Sequence, residues 1–145
     1  MNSSIKVIVP IALVLSLSCT EHDRLKLKAQ MGNRRAMYEY GLDLEQHTDN
    51  ADEAIAWMTK AAEKGETEAM YSLAMFLSAG GESSNPKALY WFRKGSESGD
   101  LNCMLKLSIA YRYGYLGLEK DEKQYRYWKD KLTAVDTERS KTWRR

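Results

Sequence analysis

The chain is predicted to be all-α, a short solenoid of about three helix pairs with a capping helix at each end. Three observations lead there. First, landmarks recur at one period: Ala36, Ala69 and Cys103 are 33 and 34 residues apart, and so are Gly32, Gly65 and Gly99, while Trp57 and Trp91 are 34 apart. A self-similarity of that length marks stacked helical repeats. Second, the 145-residue chain has only two prolines, is rich in Ala, Leu, Lys and Glu, and lacks alternating β-branched runs, all of which favour helices. Third, apolar residues fall at helical spacing. Counted from the Ala36, Ala69 and Cys103 landmarks, positions 0, +1, +4, +5 and +8 share one face of a helix.

The N-terminus comes first in chain order. Met1–Lys6 carries one positive charge, and 7–17 is an apolar run. That run has the length of a signal-peptide core and is short for a bilayer-crossing helix. Leu15-Ser16-Leu17-Ser18-Cys19 follows. A small residue directly before a cysteine, behind an apolar core, resembles the lipobox of bacterial lipoproteins. Ser16 stands where that family prefers an aliphatic residue. The resemblance implies cleavage after Ser18, diacylglycerol on the Cys19 sulfur and acylation of the new amine, so Cys19 is the lipidation site. Several acyl chains anchor firmly, because each buried methylene contributes about 0.8 kcal/mol. Thr20 is not the aspartate that retains such proteins at the inner membrane, which implies the periplasmic side of the outer membrane. The competing reading is an ordinary secretory signal with a chance cysteine. The expected segments are 1–18 as signal peptide, 19–31 as lipidated tether and capping helix, 32–133 as repeat domain, and 134–145 as a basic tail or cap.

Each repeat reads as two antiparallel helices, A then B. The capping helix is expected over Asp23–Met31, after a polar tether Thr20–Arg24. The pairs follow at Arg34–Gln46 with Ala51–Lys64, Thr67–Ala79 with Pro86–Ser98, and Leu101–Tyr113 with Glu122–Thr133. Asn50 and Glu53 have the spacing of a capping box. Asn85-Pro86 reads as a cap followed by proline at the first helical position. Gly65 and Gly99 suit the left-handed residue that closes a helix. Trp128 lies 37 residues after Trp91, which places a small insertion in the loop 114–120.

The A-helix core is then Ala36, Met37, Tyr40, Gly41 and Leu44; Ala69, Met70, Leu73, Ala74 and Leu77; and Cys103, Met104, Leu107, Ser108 and Tyr111. The B-helix core is Ala54, Trp57, Met58 and Ala61, then Ala88, Trp91, Phe92 and Gly95. Cys103 occupies an alanine site and is expected to be a buried, inert thiol. The pattern resembles the Sel1-like repeat, a relative of the tetratricopeptide repeat. The residues that carry the likeness are Tyr40-Gly41, Ala54, Trp57, Lys60-Ala61-Ala62 and Gly65 in the first unit, Ala88, Trp91, Lys94 and Gly99 in the second, and Leu107, Tyr111, Gly114, Gly117-Leu118 and Trp128 in the third. The first unit departs by lacking the glycine loop. The resemblance implies a curved superhelix that binds other proteins on its concave side.

Chemistry-bearing motifs are sparse. The formal net charge of +2 is far from that of a nucleic-acid binder. His22 and His47 lack metal spacing, no Cys-x-x-Cys occurs, and no phosphate loop or nucleophile elbow is found. No catalytic residue, metal or cofactor is expected. The A-helix face opposite the core carries the candidate partner-binding set: Tyr38, Glu39, Leu42 and Asp43; Tyr71, Ser72, Met75 and Phe76; and Lys106. Apolar members of its columns either pack between adjacent A helices or line a groove, with Glu39, Asp43 and Lys106 on the rim. The expectation is a membrane-tethered periplasmic module, monomeric when unbound, with a protein partner. That partner is a secreted antibacterial toxin, such as a type VI secretion phospholipase, for which the chain is the immunity protein, or else an envelope protein for which it is a scaffold.

Overall fold

The computed structural model describes residues 20–47 and 50–142. The signal segment, Cys19 and the last three residues lie outside them. Seven α-helices make up the described chain: α1 (Glu21–Gln30), α2 (Arg34–His47), α3 (Ala51–Glu63), α4 (Thr67–Ala79), α5 (Asn85–Glu97), α6 (Leu101–Tyr113) and α7 (Glu122–Thr142), with a 3-10 turn at Glu82–Ser84. The pairs α2/α3, α4/α5 and α6/α7 pack most extensively, α1 packs on α2, and α3/α4 and α5/α6 join consecutive units. This is the all-α solenoid read from the repeat period.

Local chemistry accounts for the boundaries. The Thr20 hydroxyl accepts from the Asp23 amide at 3.2 Å, and the Asp23 carboxylate accepts from the Thr20 amide at 3.1 Å, a reciprocal cap. The Thr20 hydroxyl, which also donates to the Asp23 carboxylate at 2.8 Å, and the Thr20 amide hold that carboxyl below its ordinary range. The expected tether Thr20–Arg24 is therefore the capped first turn of α1. Asn50 caps α3 as expected, its side-chain oxygen accepting from the Glu53 amide at 3.2 Å. Asp100 caps α6 through the Cys103 amide at 2.7 Å.

Asn85 does not cap α5. The 3-10 turn runs directly into the helix, Ser84 holds the cap position without a side-chain bond, and Asn85 is already helical. The B helices end alike. At α3 the Gly65 amide donates to the Ala62 carbonyl and the Glu66 amide to the Ala61 carbonyl, both at 3.0 Å. That bond pair needs a left-handed residue, and Gly65 sits at φ +87°. Gly32 and Gly99 close α1 and α5 with the same pair. The last helix runs on to Thr142, so the segment after Thr133 is helical.

The core follows the A-helix register. Ala36, Met37, Tyr40, Gly41 and Leu44 are all buried, as are Ala69, Met70, Leu73 and Ala74, and Cys103, Met104, Leu107 and Ser108. Leu77, Tyr111 and Trp57, expected in the core, are half-buried. Trp57 sits at its margin, edge-on to Tyr40 at 5.5 Å with the Lys60 ammonium 4.3 Å from its ring centre. Glycines at position +5 of α2 and in α5 let helices touch. A Cβ on Gly41 would lie 2.8 Å from the Met58 Cγ, and one on Gly95 would collide with the Cys103 sulfur. Burial pushes the Cys103 thiol well above its ordinary pKa, which leaves it protonated and unreactive.

Candidate functional site

Five of the nine candidate partner-binding residues come together. Leu42 from α2 and Tyr71, Ser72, Met75 and Phe76 from α4 line a hollow of about 390 Å³ between the first and second units. The A-helix register places them there: positions +2, +3, +6 and +7 of α4 point away from the core, and Leu42 is position +6 of α2. The wall that sequence reasoning missed comes from α3, chiefly Ile55 and Met58. Ile55 follows the core residue Ala54 in sequence, so it widens the apolar stripe of α3 toward the next unit. Phe76 is 47% exposed, and among the described residues Glu45 is the one charged residue lining the hollow.

Lys106 lines a second hollow of about 220 Å³ with Ile109, Tyr115 and Leu116. Met75 borders both hollows, so they form one apolar stripe across α4. Leu116 reaches it from the inserted loop, where it has φ +59° between Gly114 and Gly117. The extra length of the third unit was legible in sequence. Its side chain turning into the stripe was not, because that depends on loop conformation.

The remaining three residues are placed elsewhere. Tyr38 is 8% exposed, and its hydroxyl is hydrogen-bonded to the Ser72 hydroxyl at 3.0 Å. It latches α2 to α4 and offers a partner almost nothing. Glu39 accepts from Arg35 Nε at 2.9 Å. Arg35 also reaches Glu68 at 2.6 Å and Glu66 at 3.6 Å, so this cluster bridges the two units. The hydrogen bonds to Glu39 and Glu68 raise the Arg35 pKa. Asp43 is not on the rim of either hollow. Its carboxylate pairs with His22 of α1 and lies 3.3 Å from His47 Nδ1, so it fastens the capping helix. The His22 ring also packs edge-on to Tyr40 at 5.2 Å.

Chemically, the stripe can accept apolar side chains and little else. Its serines are engaged, Ser72 by Tyr38 and Ser78 by donating to the Met75 carbonyl at 2.7 Å, and Glu45 and Lys106 put one charge in each hollow. Among the described residues no cluster of three or more His, Cys, Asp or Glu side chains could hold a metal ion.

A stack of helix pairs with an apolar stripe across its A helices defines an α-solenoid interaction module. The chain belongs to the Sel1 repeat family, whose profile matches residues 29–66, 67–100 and 101–128. Proteins of this family are generally non-catalytic scaffolds that bind protein partners. Among solved structures, a Sel1 repeat protein from Oxalobacter formigenes is 27% identical, with a TM-score of 0.68 over 92% of this chain and 97% of that one. The protein c5321, described as a protective antigen present in uropathogenic Escherichia coli strains displaying an SLR fold, is 31% identical with a TM-score of 0.66. That match covers 77% of this chain but only 25% of c5321. No curated protein sequence matches the chain significantly.

Proposed function

We propose that this chain is a lipid-anchored protein-binding module on the periplasmic side of the outer membrane, and that its specific role is immunity: it binds and inhibits an antibacterial effector, such as a type VI secretion phospholipase. The observation that carries the binding reading is the apolar stripe, where Leu42, Tyr71, Met75 and Phe76 gather in one hollow with half-exposed Phe76 as the anchor. Aromatic and methionine side chains are enriched at the cores of protein interfaces. The location rests on the apolar run 7–17 and on Cys19 behind Ser18. The toxin reading follows from combining a single binding module with an anchor where such effectors act. It inhibits by covering the effector's cleft or the face its substrate approaches.

The test is capture from a lysate of the source cells, comparing wild type with Phe76→Glu. The wild type is expected to retain one secreted hydrolase and suppress its activity. The variant, folded by circular dichroism, is expected to lose both effects. Recovery of envelope-assembly proteins instead, with no hydrolase inhibited, would replace immunity by a scaffold role. Radiolabelled palmitate tests the anchor separately: wild type should incorporate it and Cys19→Ala should not.

A further inference from the structure

Among the described residues no helix packs over the outer face of α6 and α7, and what that face exposes is chemically specific. At position +2 of the A helices, Tyr38 is 8% exposed whereas its third-unit counterpart Leu105 is 44% exposed. At the position after the B-helix tryptophan, Met58 is 5% and Phe92 1% exposed, but the third unit has exposed Lys129. Between α6 and α7 these substitutions leave a recess of about 450 Å³, floored by Leu105, Ile109 and Leu132 and walled by Arg112, Tyr125 and Lys129.

Arg112 donates to the Tyr125 hydroxyl at 3.2 Å and lies 5.1 Å from that ring's centre, while the Lys129 ammonium is 5.7 Å from the same ring. Two cations thus flank one aromatic ring, and neither has an ion pair among the described residues. Lys60, Lys94 and Lys131 also lie over rings without an ion pair, but among the described residues Tyr125 is the ring on which two cations converge. A terminal unit needs a polar outer face for solubility, and paired charges would meet that need. Unpaired cations held over an apolar floor go further, because they favour an anion. The wider charge distribution agrees. Residues 101–145 carry 11 basic against 6 acidic side chains, and residues 20–100 carry 10 against 14, so the field draws anions to this end.

We propose that this recess binds an acidic segment of a protein partner, with a carboxylate between Arg112 and Lys129 and the neighbouring apolar side chain on Leu105 and Leu132. Charge-assisted hydrogen bonds to the carboxylate give the selectivity, and the apolar floor gives contact area. A peptide fits better than a membrane because the cations line a concave, side-chain-sized recess, whereas a bilayer surface meets flat or protruding groups. The recess adjoins the Lys106 hollow at Ile109. The proposal is nonetheless independent of the groove reading, since the cation pair selects the ligand.

The test titrates the full chain into a fluorescent peptide of alternating leucine and glutamate, and into its leucine and glutamine counterpart. The glutamate peptide is expected to bind roughly tenfold tighter, and Lys129→Glu to lose roughly tenfold of that affinity. Phe76→Glu should leave it unchanged, which separates this site from the groove. Lys129→Glu is chosen because Lys129 is exposed, so the change leaves the core intact. Arg112→Lys, which keeps the charge, should retain most of the binding. Equal binding of the two peptides, absence of saturable binding, or indifference to Lys129→Glu would overturn the proposal. Binding to phosphatidylglycerol vesicles that falls in Lys129→Glu, without peptide binding, would assign the face to an anionic membrane and overturn it as well.

Discussion

At Gly95 the absence of one carbon decides how two repeats meet. A Cβ there would strike the Cys103 sulfur and lie 3.1 Å from the Cys103 Cβ, in a spot where both residues are fully packed. Gly95→Ala is therefore expected to destabilise the fold by about 1–3 kcal/mol through overpacking. Removing the sulfur with Cys103→Ala should recover part of that loss, because residues in contact couple. A thermal or urea double-mutant cycle checks it, and strict additivity would mean that the contact does not set the helix spacing. The small residues at these sites were legible, because a glycine or alanine recurring at one register position implies close approach. The contact between His22 and Asp43 was not, since it depends on how α1 docks onto α2. Nor was the burial of Tyr38. Its position on the A helix is that of a groove residue, but Arg35 lies over its ring and Ser72 from the next unit satisfies its hydroxyl.

Among the elements, the caps separate what sequence shows from what it misleads about. Asn85 reads as a cap in the sequence, and Asp100 stands directly before α6. Asp100 makes the bond, accepting from the Cys103 amide at 2.7 Å. Asn85 does not, because the turn Glu82–Ser84 winds into α5 without a break and Ser84 takes the cap position. Asp100→Ala is accordingly expected to cost about 1 kcal/mol, while Asn85→Ala should be neutral within about 0.5 kcal/mol. Chemical denaturation of the two variants compares them directly, and an equal loss would show that Asn85 caps α5 in solution. The sequence misleads here because a cap is a property of the backbone entering the helix. Asn-Pro restricts that backbone, but Gly81, at φ +87°, sets the turn that precedes it. The sequence leaves the segment past Thr133 as tail or cap for a related reason. Its charges are compatible with helix or coil, and only Val135, half-buried against the α6/α7 pair, ties it down.

Across the whole molecule the repeat period made the architecture legible, but not how the core is partitioned. One buried cluster runs continuously from Ala29 in α1 to Cys103 at the start of α6. A second, smaller one holds Met104, Leu107 and Trp128 with half-buried neighbours that include Leu89 and Leu132. The division falls inside α6, between adjacent residues, because Cys103 faces back into the second unit while Met104 faces α7. Repeat proteins are stabilised by their units and by the interfaces between neighbours. Among the described residues the last unit has one such interface, and its outer face carries Lys129 and Thr133 where earlier units bury Met58 and Ala62, or Phe92 and Ser96. It is therefore expected to open sub-globally before the rest. In native-state hydrogen exchange, amides of α7 should exchange at a lower free energy than those of α3 to α5, by about 1–2 kcal/mol, the loss expected where fewer apolar side chains are buried. Under rising denaturant the two groups should merge only near global unfolding. A single free energy for all slow amides would instead mean that α5/α6 contacts, bridged by Gly95 and Cys103, couple the two clusters into one cooperative unit.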